Sequence, residues 1–173
     1  MSDSSPETPS LETPSLERVK VYRIASLRYS PDASSLFSGM GGLYYAARWN
    51  SVGTRMTYTA ETLAQAMLEL YVHVQDAPPW PQWVYGVAEI PLECTLTLTL
   101  EELAQGWDGH PPSAWTRSYG DRWTLEGRSV DLAVPSVIVP GGVNYLLNPL
   151  HPDFARVRLG NVTPFRFDSR LER

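Results

Sequence analysis

GGLYYAARWNSVGTRMTYTAETLAQAMLELYVHV, residues 41–74, decides how the rest of this chain is read. It opens with glycines that permit a tight turn. RMTYT (55–59) then reads as a short strand, and Thr59 is placed to cap a helix beginning near Ala60. In that helix Leu63, Ala64, Met67, Leu68, Tyr71 and Val72 recur at helical spacing. Ala66 and Leu70 widen the apolar stripe, leaving a narrow polar strip of Thr62, Gln65, Glu69 and His73. A strip that narrow on an otherwise apolar helix faces either solvent or a cleft.

Outward from this stretch, the flanking segments are mostly strands. VKVYRIA (19–25) alternates, and residues 26–47 read as Ser- and Gly-rich loop. PPWPQ (78–82) breaks the chain. WVYGVAEI (83–90) and CTLTLTL (94–100) read as strands, with a helical turn at 101–107 and a loop at His110, Pro111 and Pro112. A helix is expected within 113–129, although Gly120 and Gly127 weaken its pattern. PSVIVP (135–140), VNYLLN (143–148) and VTPFRFD (162–168) are the last expected strands. Strands that adjoin in sequence with few helices predict an α+β fold rather than a doubly wound α/β sheet. Neither a Walker loop nor a Gly-x-Gly-x-x-Gly fingerprint is present, so a nucleotide bound here is not held in the Rossmann manner.

The chain has 173 residues, which suits one domain able to bury its own core. Residues 1–18 stand apart: ETPSL occurs at 7–11 and again at 12–16 in a Ser/Pro/Thr/Glu-rich stretch that reads as a disordered tail. The single domain is therefore expected over 19–173. Hydrophobic residues make up 43% and charged residues 19%, a globular balance. A net charge of −5 provides no global field for nucleic acid or an anionic membrane. With one cysteine, Cys94, an intrachain disulfide and a cysteine-cluster metal site are excluded, and three scattered histidines have no metal-ligand spacing. No signal peptide and no membrane-spanning run is read, so the expected location is the cytoplasm.

Seven residues could carry chemistry. Arg23, mid-strand in VYRIA, is either a structural partner or a guanidinium held toward a phosphate. Arg48, embedded in YYAARWN, is expected to be partly buried and to need an anionic or hydrogen-bonding partner, either a protein carboxylate or a bound phosphate. Tyr58 is a core tyrosine or a ring that stacks on a flat heterocycle. Glu69 is a solvated helix residue or a carboxylate facing a developing cation. Ser136 has no Gly-x-Ser-x-Gly elbow, so it is read as a hydrogen-bonding residue and not a nucleophile. Asn144 and Asn148 read as turn residues or polar site groups, with the structural reading favoured for Asn148. Phosphate-holding cations, a stacking ring and a carboxylate together suit a nucleotide-cleaving site.

VYRIA, ARWNSVGTRMTYTAETLAQAMLEL, VPSVIVPGGVNYLLNPLHPDF and PFRFDSRL, in that order, resemble the RES-domain family, the toxin partners of Xre-type antitoxins, over about residues 19–171. The resemblance implies an ADP-ribosyltransferase-like fold, with a mixed or antiparallel β core and a few flanking helices. It implies a substrate, NAD⁺, cleaved at the nicotinamide–ribose bond by hydrolysis or by phosphorolysis with inorganic phosphate as co-substrate. No separate cofactor and no metal are implied. ADP-ribosylation of a protein is the alternative activity, and a catalytically dead module acting through its antitoxin is the other. Glu69 and Arg48 become the catalytic candidates, with Arg23, Arg48, Tyr58, Ser136 and Asn144 holding NAD⁺ or phosphate. An Xre-type antitoxin is the implied partner, and a homodimer is left open. Two departures are local: Ala47 stands where many members carry glycine before the arginine, and GGVNYLLN lacks a more usual acidic residue before the asparagine.

Overall fold

A computed structural model describes residues 17–74 and 81–171. The expected tail lies outside the described residues up to residue 16, as does most of the proline break. Arg18 already belongs to the domain: it pairs with Pro91, and its guanidinium donates to the carbonyls of Glu89 and Arg156. The folded unit thus begins slightly before Val19.

Eight strands form one sheet: β1 (Arg18–Ser26), β2 (Thr57–Ala60), β3 (Trp83–Pro91), β4 (Thr95–Thr97), β5 (Asp131–Pro135), β6 (Val143–Leu147), β7 (Arg158–Leu159) and β8 (Thr163–Phe165). Their order is β4-β5-β6-β2-β1-β3-β7, and β8 also pairs with β3. Among the described residues only the β4–β5 pair is parallel. Among the described residues three α-helices flank the sheet: α1 (Ala33–Leu36), α2 (Leu63–Val74) and α3 (Ala114–Glu126). The expected α+β architecture is what is observed.

Several local expectations shift. The 26–47 segment contains α1, capped by Asp32 onto the Ser35 amide, and two single 3-10 turns. Thr59 stays in β2, donating its hydroxyl to the Tyr145 carbonyl, and α2 starts later, with the Thr62 hydroxyl accepting from the Gln65 amide. The apolar strand around residue 135 lies upstream of PSVIVP, in DLAVP, and residues 136–142 turn the chain into β6. β4 is only three residues long, and the chain enters a 3-10 turn at Leu100, the last residue of the expected CTLTLTL strand.

Register fixes what each face of the sheet carries. Tyr58 opposes Leu146, Ala60 opposes Asn144, and Val134 also opposes Asn144, so these five share one face. On that face α3 buries Trp123 with Trp49, Met56, Leu132, Val134 and Leu146. α2 buries Ala66 with Ile24 and Ala60 on the same side, toward β1 and β3. The other face packs Val21, Leu36, Phe37, Ala88 and Leu147 together. A half-exposed seam therefore runs between the α2 and α3 clusters, with Tyr58 and Asn144 at its floor.

Glycine 120 explains how α3 tolerates a helix-weakening residue. A Cβ there would stand 1.9 Å from the Trp49 carbonyl oxygen, so only glycine lets α3 lie directly on the loop before β2. Ser113 caps α3 at its start, and Gly127 ends it in a left-handed conformation at φ 58°.

At the start of β5, Asp131 is fully buried, and only its Oδ2 has a side-chain partner, the Thr95 hydroxyl. Burial pushes its carboxyl up to about 8, against 3.8 ordinarily, with the Thr95 bond opposing the shift. Between those values the folded state holds a proton that the unfolded chain has lost. Stability should therefore fall as pH rises from about 4 to about 8. Asp131→Asn carries no ionisable group, so it should match the wild type near pH 4 and exceed it at pH 8 by about a few kcal/mol. Thermal midpoints of both proteins across that range check this.

Candidate active site

The seam is built around one carboxylate oxygen. Glu69, on the third turn-facing position of the α2 polar strip, accepts at Oε1 from the Ser136 hydroxyl (2.8 Å) and from the Asn144 side-chain amide (2.6 Å). Among the described residues nothing in the protein bonds its Oε2. Glu69 is half-buried, so it is neither a solvated surface residue nor sealed in the core. The strip divides along its length: Gln65 is buried, Glu69 lies at the seam, and His73 is exposed.

Ser136 is presented by the β5–β6 turn. Its amide donates to the Gly142 carbonyl at 2.8 Å, closing the turn. Its hydroxyl oxygen accepts from the amides of Ile138 (3.1 Å) and Val139 (2.9 Å). With both amides donating to it, the hydroxyl proton is directed to Glu69. A hydroxyl so bound is a donor to a carboxylate and not a nucleophile, in line with the missing elbow. Asn148, by contrast, is buried away from Glu69; it donates to the Thr124 carbonyl and accepts from the Leu150 amide, as a structural residue would.

Arg48 sits across from Glu69 on the loop before β2. Its Nη1 donates to the carbonyls of Trp107 (2.6 Å) and Gly109 (3.1 Å). The partners are main-chain carbonyls, where a carboxylate or a phosphate was expected. Burial lowers the Arg48 guanidinium from its ordinary value, while the nearby charges of Asp108 and Glu69 favour the cation. Arg48 and Glu69 thus lie within electrostatic reach of each other without forming an ion pair.

Tyr58 positions that loop. Its hydroxyl donates to Asn50 Oδ1 (2.8 Å) and accepts from the Trp49 amide (3.0 Å), the two residues after Arg48. Burial pushes the hydroxyl well above the usual tyrosine range. Its ring remains half-buried at the seam floor. Asn50, buried, continues the network to the carbonyls of Tyr45 and Ser51. Asp121 on α3 accepts from the Ser51 amide and the Thr54 hydroxyl. Neither Asn50 nor Asp121 was legible as a site-supporting residue, since each acts on loop backbone that only the fold brings near.

Arg23 stands apart from the Glu69 cluster. β1 and β2 meet only at Tyr22 and Ala60, and in the opening Arg23 donates to the carbonyls of Tyr58 and Leu36, each at 2.8 Å. Paired with Gly86, it lies on the Leu36–Phe37 side of the sheet. Burial lowers it to about 10, so it remains a cation at neutral pH, and its partners are uncharged. The structure therefore brings Glu69, Ser136, Asn144, Arg48 and Tyr58 together, with Arg23 behind Tyr58.

A cavity of about 420 Å³ adjoins Ser136, bounded by Trp107, Leu98, Thr99, Pro140 and Gly142. The Trp107 that walls it also supplies a carbonyl to Arg48. Among the described residues no group of three His, Cys, Asp or Glu side chains is placed to hold a metal ion. No helix among them is long and apolar enough to cross a membrane.

The RES domain profile matches residues 20–168. "Toxin Res" of Yersinia enterocolitica serotype O:8 is 35% identical over 154 residues, covering 88% of this chain and 99% of that protein. The "Prs ADP-ribosylating toxin" of Sphingobium sp. strain YBL2 is 35% identical over 156 residues, covering 88% and 96%. In architecture the chain is similar to one in the crystal structure of the M. tuberculosis MbcT–MbcA toxin–antitoxin complex, with TM-score 0.67, 16% identity and coverage of 86% and 85%. A match over nearly all of the described domain, together with relatives at this identity, shows that the chain belongs to the RES domain family.

Proposed function

We propose that this protein is the toxin of a toxin–antitoxin pair and that its seam cleaves the nicotinamide–ribose bond of NAD⁺. The observation that carries the reading is the Glu69 carboxylate, fixed at one oxygen by Ser136 and Asn144 and, among the described residues, unbonded at the other. As the C1′–N bond breaks, its electron pair leaves with neutral nicotinamide and positive charge builds on the ribose. A carboxylate already oriented toward that charge stabilises the transition state without reorganising. The unbonded Oε2 is suited to accept a ribose hydroxyl.

Arg48 supplies a cation opposite Glu69, suited to a phosphate of the dinucleotide. Arg23 adds positive charge behind Tyr58, and the Tyr58 ring is available for stacking while its hydroxyl holds the Arg48 loop. Water as acceptor gives ADP-ribose, nicotinamide and a proton. Inorganic phosphate as acceptor gives ADP-ribose 1″-phosphate and nicotinamide. No cofactor enters either reaction. Transfer of ADP-ribose to a protein is the second reading, favoured by the name of the Sphingobium relative. The structural neighbour comes from a toxin–antitoxin complex, which supports an antitoxin as partner.

Nicotinamide release by the purified protein tests the reading. Release from NAD⁺ alone marks hydrolysis. Release that requires phosphate marks phosphorolysis. Slow release with a labelled protein band marks transfer. If NAD⁺ yields no nicotinamide under any of these conditions, the domain acts by binding alone and the proposal fails.

A further inference from the structure

Gln65 is the buried polar residue of α2, one helical turn before Glu69, and it bonds Asn144, one of the two supports of the Glu69 carboxylate. Its side-chain amide donates to Asn144 Oδ1 at 2.7 Å and to the Val143 carbonyl at 3.0 Å. An asparagine amide can present either its oxygen or its NH₂ in a given direction. Because Gln65 delivers a donor, Asn144 must turn its oxygen to Gln65 and its NH₂ to Glu69, as the 2.6 Å bond requires. Gln65 also meets the turn that carries Ser136. A Cβ on Gly142 would stand 2.5 Å from Gln65 Oε1, and the Gly142 carbonyl accepts the Ser136 amide. One buried side chain thus sets the polarity of the first donor to Glu69 and abuts the turn that holds the second.

We infer that Gln65 is a positioning residue: it locks the Asn144 amide so that Glu69 is held by two donors at Oε1 and keeps Oε2 toward the substrate. This rests on the NAD⁺-cleaving reading for its consequence in catalysis, but not for its geometry. A neutral amide is needed at 65. A carboxylate there accepts only, which would turn the Asn144 NH₂ away and set its oxygen against Glu69. The charged groups that reach the same elements are Glu61, which accepts the Val143 amide, and Glu69 itself. Both raise the cost of ionising a carboxyl at 65.

The experiment compares wild type, Gln65→Glu and Gln65→Met in nicotinamide release from pH 5 to 8, with thermal melts as the folding control. In Gln65→Glu, kcat relative to wild type should fall about tenfold or more as pH rises and the new carboxyl ionises, while KM moves little. Gln65→Met fills the space without donors; its kcat should drop about tenfold at every pH, and Asn144→Ala should mask that drop. A second readout is proton exchange of the Asn144 side-chain amide followed by NMR, which should be at least about tenfold faster in Gln65→Met whether or not NAD⁺ is cleaved. Additive effects of Gln65→Met and Asn144→Ala would overturn the inference. So would unchanged exchange of the Asn144 amide. Absence of nicotinamide release by the wild type with faster exchange in Gln65→Met would overturn only the catalytic reading.

Discussion

Glu69→Gln should lower nicotinamide release by two or more orders of magnitude while the protein stays folded. Removing one preorganised electrostatic contact to a developing charge typically costs about 10²–10³ in rate. The amide keeps the size of the carboxylate, and its oxygen can still accept from Ser136 and Asn144 at the position of Oε1. Its nitrogen then replaces Oε2, so a donor faces the ribose where an anion stood. NAD⁺ affinity and the thermal midpoint should change little, because the charge acts chiefly in the transition state. Expression of the variant in bacteria lacking the antitoxin should lose its toxicity. Steady-state release by both proteins, with circular dichroism as the folding control, reads the result. A variant within a few-fold of wild type would remove Glu69 from the chemistry. Glu61 would then be the next carboxylate to test, since Glu89 lies on β3 beside Lys20 and Arg158, away from the seam.

Arg48→Ala should weaken NAD⁺ binding by about 10- to 100-fold, the scale of one lost hydrogen bond to a charged group. Two effects contribute. The cation opposite Glu69 is gone, and the loop carrying Trp107 and Gly109 loses the guanidinium that holds its carbonyls. Arg48→Lys separates them. An ammonium restores the charge but not the planar fork, so it should recover only part of the affinity. Binding is read by calorimetry and by the NAD⁺-induced rise in thermal midpoint. If Arg48→Ala melts far below wild type and NAD⁺ does not stabilise the wild type, the arginine serves the loop alone.

These two positions also mark where local pattern stops being informative. The sequence by itself determined the α+β class, because β1 and β3 alternate plainly and α2 carries its stripe over 12 residues. It also determined that Glu69 lies in a narrow polar strip, since periodicity is a local property of the helix. The order of the family-like segments pointed to Arg48 and Glu69, and behind them Arg23, Tyr58 and Ser136, as site candidates. What periodicity does not encode is the partner of a polar group. Arg48 meets a carbonyl 59 positions away and Glu69 meets an amide 75 positions away. Only the tertiary structure decided that both arginines take main-chain carbonyls, that the Tyr58 hydroxyl fixes the Arg48 loop, and that Gln65 turns inward while His73 faces solvent. It also moved the α2 cap from Thr59 to Thr62, because Thr59 has a better partner in the Tyr145 carbonyl across the sheet. A hydrogen-bonding group is claimed by whichever donor or acceptor the fold brings to it, and burial makes that claim binding.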